Sequence, residues 1–183
     1  MHNTLFFIEG MNFGGQQTFM YNVLKHMQHE DVVLHTVFVF EGDMLANYRS
    51  ISTNIQQIGQ PYDPFDVFKN KRIIIKIIYD LVRYIKKHKI ELIYSNGFCS
   101  FFCSSFASLI TNIKHFRFIG GDLTKNEPFH FNNWKFNVLP PSWLTDKYCG
   151  GVFILDKMHE KGVPRSKLLP LFTPGGVDSE LFK

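Results

Sequence analysis

The chain has 183 residues, which is room for one domain of ordinary to large size or for two small ones. With 45% hydrophobic and 20% charged residues, the composition excludes a disordered chain, a collagen-like repeat and a coiled coil. The net charge of +4 is lower than a nucleic-acid-binding domain usually carries. Since no window approaches 18 consecutive apolar residues, we expect a globular domain without a membrane-spanning helix.

Three cysteines, Cys99, Cys103 and Cys149, predict no disulfide framework and fit a reducing compartment. Cys99 and Cys103 lie four residues apart, but two thiolates do not complete a zinc site, so buried small side chains are favoured and no metal site is predicted. The segment Met1–Glu9 lacks a basic region and a long apolar run, so no signal peptide is predicted. These features together indicate a cytoplasmic protein.

Apolar runs and helical spacing alternate along the chain. In chain order, the pattern predicts strand Thr4–Ile8, helix Gln16–His29, strand Val32–Phe40, short helix Asp43–Ser50, short strand Ile55–Ile58, helix Phe68–His88, strand Glu91–Ser95, helix Phe98–Ile110, strand His115–Ile119, strand Gly151–Leu155, short helix Asp156–Lys161 and strand Lys167–Phe172.

This alternation predicts βαβ units in an α/β, Rossmann-like, doubly wound sheet of about seven mainly parallel strands. Ligands of such folds bind beyond the carboxyl ends of the strands. The loops of interest are therefore Glu9–Gly15, Asn96–Phe98, Gly120–Thr124 and Thr173–Asp178.

The first of these loops contains Gly14 and Gly15, directly before a predicted helix. Glycines let a ligand approach the backbone closely, and a helix start offers free N–H groups with partial positive charge. The loop therefore suits a phosphate or diphosphate. A tight turn that needs positive φ explains the same glycines equally well.

Polar residues also follow the fourth and fifth predicted strands, at Asn96-Gly97 and at Gly120-Gly121-Asp122. Both groups are placed to bind a ligand, but both also suit a turn with a helix cap. His115 and His130 are expected near the same edge, without an evident orienting carboxylate. No nucleophile–histidine arrangement follows from order and spacing, so the catalytic residues stay unassigned.

The predicted helix near residues 69–89 carries eight basic residues and one acidic residue. At about 100° per residue, one stripe holds five of the basic residues: Lys69, Arg72, Lys76, Arg83 and Lys87. A solvated outer face explains this stripe, and so does a patch that attracts an anionic membrane surface. The apolar residues of the helix lie opposite and are expected to pack on the sheet, which favours electrostatic docking over insertion.

Four segments together resemble the N-terminal domain of glycosyltransferase family 4 enzymes, which have the GT-B fold. They are LFFIEGMNFGGQQTFMYNVL at 5–24, ELIYSNGF at 91–98, YCGGVFILDKMHEKGVP at 148–164 and LLPLFTPGGVDSELF at 168–182. The likeness spans nearly the whole chain. It implies transfer of a sugar from a nucleotide-sugar donor to a polysaccharide- or lipopolysaccharide-type acceptor without a bound metal.

The resemblance also implies roles for individual positions. The donor-diphosphate loop would comprise Gly14, Gly15 and Gln16; the acceptor side Asn12, Asn96, Gly97, Gly120, Gly121 and Asp122; and the interdomain linker Gly176, Val177 and Asp178. The family binds its donor chiefly in a C-terminal domain, which these 183 residues do not include. We therefore expect the isolated domain to be inactive.

The chain departs from the family pattern at several positions. Many members carry His near the ends of strands four and five, where this chain has Tyr94 and Asn96, and Gly120 and Gly121. Two alternatives therefore stay open: a non-catalytic module that binds a carbohydrate or a lipid-linked ligand, and an unrelated Rossmann-like nucleotide-binding protein.

Overall fold

A computed structural model describes residues 2–27, 31–59, 71–119, 144–160 and 162–170. The strands are β1 His2–Gly10, β2 Val32–Phe40, β3 Asn54–Gln57, β4 Leu92–Asn96, β5 Lys114–Ile119, β6 Lys147–Gly150 and β7 Leu168–Pro170. The helices are α1 Gly15–Met27, α2 Leu45–Ile51, α3 Lys71–His88, α4 Phe98–Thr111 and α5 Val152–Glu160, and a short 3-10 helix spans Arg165–Lys167.

The seven strands form one sheet in the order β3-β2-β1-β4-β5-β6-β7, and every neighbouring pair is parallel. The order reverses between β1 and β4, because the chain first builds outward through β2 and β3 and then returns to the other side of β1. The predicted α/β, Rossmann-like fold is confirmed, and the described sheet is wholly parallel.

Both faces of the sheet are buried, which explains why its strands are apolar runs instead of alternating patterns. In β1, Leu5 and Phe7 pack into one cluster with the apolar residues of α3 and α4. Phe6 and Ile8 point to the opposite face and pack with residues of α1 and α2. Successive side chains of β1 therefore join two separate cores, as a strand period of two residues requires.

The prediction of a strand at Gly151–Leu155 is wrong, and the helix predicted at Asp156–Lys161 begins four residues earlier. The strand lies earlier, at β6, and α5 begins at Val152. Leu155 and Met158 are buried, whereas Phe153 is 69% exposed. The apolar residues thus follow helical spacing over one buried face, and a continuous apolar run was misread as a strand.

His115 lies within a buried polar network near the amino end of β5, so its predicted place near the ligand-binding edge is wrong. Its Nε2 lies 2.8 Å from the Ser95 hydroxyl, its Nδ1 lies 3.4 Å from the Ser105 hydroxyl, and its backbone N–H donates to the Asp146 carboxylate. Burial, with a contribution from nearby Arg117, lowers the pKa of His115 to about 3.

This depressed pKa predicts a loss of stability in acid. Below pH 6.5 the unfolded chain protonates His115 while the folded chain keeps it neutral, so the free energy of unfolding falls as the pH falls. Between pH 7 and pH 5 the loss from this group is about 2 kcal/mol. Urea unfolding of wild type and His115→Gln at both pH values measures it. The free energy of unfolding of the variant is expected to fall less between pH 7 and pH 5, by most of this amount. Equal falls in the two proteins would contradict the low pKa of His115.

Candidate functional site

The candidate site lies where β1 and β4 end side by side, with Ile8 in register with Asn96. From this point β1 leads into α1 on one face of the sheet, and β4 leads into α4 on the other. Diverging connections of this kind leave a crevice at the carboxyl edge of a parallel sheet. The structure thus brings the loop after β1 beside the Asn96-Gly97 pair.

The loop after β1 is held in place by the loop after β2. The Met11 N–H donates to the Phe40 carbonyl at 3.1 Å, and the Met44 N–H donates to the Met11 carbonyl at 2.9 Å. A side chain at Gly42 would collide with the backbone of Met11 and Asn12. Met11 is fully buried and Asn12 is exposed, so the loop presents Asn12 from a fixed backbone.

Neither Gly14 nor Gly15 has positive φ, so the turn explanation of these glycines is wrong. Among the described residues, a side chain at Gly14 would meet the end of the flexible Gln17 side chain, and one at Gly15 would meet nothing within 4 Å. The fold therefore does not require glycine at position 15. Gly15 is exposed, and the first turn of α1 contains no acidic residue. The helix start is open to an anion, as a ligand-binding role for the glycine requires.

The start of α4, by contrast, is occupied by Glu9, a residue that the sequence analysis did not select. Its carboxylate accepts a hydrogen bond from the Cys99 N–H at 2.9 Å. Gly97 has φ of 107° and would contact Glu9 through any added side chain, so its glycine serves the fold. The chain's own carboxylate therefore takes the anion position at α4, whereas the first turn of α1 holds no acidic residue.

Arg117 is a second charged residue that the sequence analysis did not select. It is 4% exposed on β5, and its guanidinium carbon lies 3.6 Å from the centre of the Phe101 ring. Burial lowers the pKa of Arg117 to about 10, and the nearby Tyr148 and Glu9 oppose that shift. Arg117 therefore stays charged at neutral pH, and the Glu9 carboxylate is one of its electrostatic neighbours.

Asn96 is the polar side chain that the crevice leaves unsatisfied. It is 3% exposed, and its Nδ2 has no hydrogen-bond partner among the residues that the structure describes. Alternation along β4 puts Ser95 on the α4 face and Asn96 on the α1 face, beside Ile8. Because a buried amide without a partner is costly, its position suits donation to a bound ligand.

Several predicted site residues lie outside the described part of the chain: Lys69, Gly120, Gly121, Asp122, Gly176, Val177 and Asp178. Gln16 lies in α1, but its side chain is not described. Of the predicted site residues, Asn12, Gly14, Gly15, Asn96 and Gly97 are described, and they lie at or after the carboxyl ends of β1 and β4.

The other predicted features were a basic stripe and buried cysteines. Arg72, Lys76, Arg83 and Lys87 are exposed, and all three cysteines are buried. Within the described ranges, no group of three or more His, Cys, Asp or Glu side chains is placed to hold a metal ion. None of the helices described there is both long and apolar enough to span a bilayer.

Solved glycosyltransferases share this fold over the whole chain or nearly so. A glycosyltransferase from Rickettsia africae covers 99% of this chain with a TM-score of 0.74 and 16% identity. HepE from Anabaena, solved with UDP and glucose, covers 100% with a TM-score of 0.72 and 14% identity. The lipopolysaccharide outer core galactosyltransferase WaaB covers 91% with a TM-score of 0.67 and 13% identity.

This chain spans less than half of each of these proteins: 45% of the Rickettsia enzyme, 46% of HepE and 44% of WaaB. A UDP-N-acetylglucosamine 2-epimerase shares the fold as well, with a TM-score of 0.63 and 8% identity over 93% of this chain. No protein-family model and no curated protein matches the sequence. The comparisons therefore define the fold.

Proposed function

We propose that this chain is the acceptor-side half of a GT-B glycosyltransferase of the family 4 type. It would act in transfer from a nucleotide sugar to a polysaccharide- or lipopolysaccharide-type acceptor. The observation that carries the proposal is the open start of α1 at Gly15, where the fold itself does not need glycine. The glycosyltransferase neighbours, one of them solved with UDP and glucose, support it.

In this proposal the backbone around Gly14 and Gly15 faces the donor diphosphate. As the bond between the sugar and the diphosphate breaks, negative charge grows on the leaving oxygen, and helix N–H groups fixed in advance stabilise it. Glu9 at the start of α4 repels a second anion. The diphosphate is thereby directed to α1, on the same face of the sheet as Asn96.

Asn96 would contact the acceptor. Its buried Nδ2 is positioned to donate to a sugar hydroxyl, which would restore the hydrogen bond that the amide lacks among the described residues. Gly97 would keep the end of β4 close to Glu9 without itself contacting the ligand. Gln16, Gly120, Gly121 and Asp122 complete the proposed loop and acceptor side, and residues 176–178 form the proposed linker.

Since the chain spans under half of its structural neighbours, we propose that a second half binds the nucleotide. The isolated chain is then expected to show little or no activity. Donor-hydrolysis and transfer assays with several nucleotide sugars test this, using the 183-residue chain alone and supplied with its natural C-terminal half. Turnover is expected only from the combination. Robust turnover by the chain alone would contradict the proposal.

A non-catalytic carbohydrate-binding module is the second candidate. It is favoured by Tyr94 and Asn96, which stand where the resembled family commonly has His. Saturable carbohydrate binding without turnover, even with the C-terminal half present, would support this reading over transfer. Tight nucleotide binding by the isolated chain would instead indicate an unrelated nucleotide-binding protein.

A further inference from the structure

The loops after β1 and β2 lock together at the carboxyl edge of the sheet and hold an aromatic ring in solvent. Gly42 lies against the backbone of Met11 and Asn12, so closely that a side chain there would collide with both residues. Phe13 follows in the first loop and is 70% exposed. One exposed apolar residue is common on protein surfaces, so the neighbours of Phe13 decide whether its ring has a ligand.

Three polar residues accompany this ring. Asn12 precedes Phe13, while Glu41 and Asp43 flank Gly42, and all three polar side chains are exposed. Since consecutive Cα atoms are about 3.8 Å apart, these residues lie within one or two residue steps of the contact between the loops. We call Asn12, Phe13, Glu41 and Asp43 the rim cluster.

The rim cluster combines the kinds of group that bind a pyranose sugar. One face of a pyranose consists of C–H groups, which pack on an aromatic ring, and its hydroxyls donate to carboxylate and amide oxygens. A hydrogen bond to a carboxylate is stronger than one between neutral groups. Small-molecule sites generally join aromatic side chains with a few polar groups in this way.

Asn96, at the inner end of the same loop, independently indicates a ligand. It lies beside Ile8 in the sheet, and its buried Nδ2 lacks a hydrogen-bond partner within the described ranges. Asn12 follows Ile8 by four residues, which is at most about 14 Å of chain. Two or three linked sugar units cover such a span, so one saccharide can contact both Asn96 and the rim cluster.

The charges of the two loops disfavour an anionic ligand at the rim cluster. Residues 9–15 and 41–44 include the acidic residues Glu9, Glu41 and Asp43 and no basic residue. A nucleotide or an acidic sugar would be repelled there, whereas a neutral sugar would not. The carboxylates of the second loop adjoin Asn12, and the start of α1 that suits a diphosphate lies three residues further along, at Gly15.

We propose that the rim cluster binds an uncharged sugar unit of the acceptor, next to the unit that contacts Asn96. The sugar ring packs on Phe13, and its hydroxyls donate to the carboxylates of Glu41 and Asp43. This inference rests on the saccharide acceptor of the proposed function. It specifies an acceptor of two or more linked sugar units, of which the outer unit is neutral.

Amide NMR of the isotopically labelled 183-residue chain tests the proposal by titration with methyl glycosides and disaccharides of glucose, galactose, mannose and N-acetylglucosamine. One variant removes the ring, Phe13→Ala, and its matched control is Phe153→Ala, at a residue that is 69% exposed. Another replaces the carboxylates, Glu41→Gln with Asp43→Asn, and its matched control is Glu160→Gln with Asp156→Asn. All six positions are exposed, so the fold is expected to survive, and circular dichroism checks it.

A disaccharide of this panel is expected to bind more tightly than its methyl glycoside and to shift the amides of residues 12–13 and 41–43. Phe13→Ala is expected to weaken this binding about tenfold, the carboxylate variant about fivefold, and each control less than about twofold. The methyl glycoside of glucuronic acid is expected to bind more weakly than that of glucose. In the carboxylate variant this difference is expected to shrink, because the repulsion is removed.

No binding of any of these sugars up to about 50 mM, or equal affinities in the variants and their controls, would overturn the proposal. Shifts at Phe13 with UDP but with none of the sugars would overturn it as well, in favour of base stacking. The titration needs neither a donor nor a C-terminal half. Saccharide binding without transfer would therefore contradict the proposed function alone, and transfer without binding at the rim cluster would contradict this inference alone.

Discussion

Replacing Gly15 with valine is expected to lower the proposed transfer activity, measured with the proposed C-terminal half present, by about 100-fold. The reason is local, since the added side chain would stand at the open start of α1, where the diphosphate must approach the backbone. The melting temperature is expected to stay near the wild-type value, because among the described residues the added Cβ would meet nothing within 4 Å outside its own helix turn. Transfer kinetics and thermal unfolding measure the two effects.

Gly151 supplies a matched control for this substitution. Gly151 is also exposed, and a side chain there would meet no described residue within 4 Å, but Gly151 follows β6, three strands from β1. Gly151→Val is expected to transfer sugar at nearly the wild-type rate. Equal rates for the two valine variants would show that an open glycine at this edge does not identify the diphosphate loop.

Removing the Arg117 side chain is expected to lower the free energy of unfolding of the protein. Arg117→Ala deletes a buried guanidinium that stacks on Phe101 and has Tyr148 and Glu9 as electrostatic neighbours. The expected loss in the free energy of unfolding is about 3 kcal/mol, from the cavity and from the Glu9 carboxylate left without its neighbouring cation.

Arg117→Met is the control, because methionine refills most of the volume without the charge. It is expected to recover part of the loss, and the remainder measures the electrostatic contribution. Urea unfolding of both variants at pH 7 gives the two values. A loss below about 1 kcal/mol for Arg117→Ala would mean that the buried cation is not needed by the fold.

The parallel sheet could be predicted because its strands are short apolar runs separated by helical spacing. The same rule failed at residues 151–155, since a short apolar run does not distinguish a strand from a buried helix face. The place of Gly14, Gly15 and Asn96 at the carboxyl edge of the sheet could be predicted, because they lie at or shortly after the ends of strands, whereas their contact with a ligand stays a prediction. The resemblance placed them at a ligand, and the backbone angles of the two glycines removed the competing turn explanation.

Glu9 and Arg117 were missed because their roles depend on contacts distant in sequence. Glu9 bonds to Cys99, which lies 90 residues away, across a strand pairing that no local pattern specifies. The strand pattern does indicate where Glu9 points. A period of two residues puts Leu5, Phe7 and Glu9 on one face of β1, and Leu5 and Phe7 pack toward α4. An arginine inside the apolar strand run around Phe116 and Phe118 was a comparable signal.

We propose that the start of α1 faces the diphosphate of a nucleotide-sugar donor. Amide NMR of the isotopically labelled chain, combined with the proposed C-terminal half in unlabelled form and titrated with UDP, measures this contact. We expect the largest shifts at the N–H groups of Gly14 and Gly15, with little change at Cys99, whose N–H already donates to Glu9. Shifts centred on Cys99, with Gly15 unchanged, would contradict it.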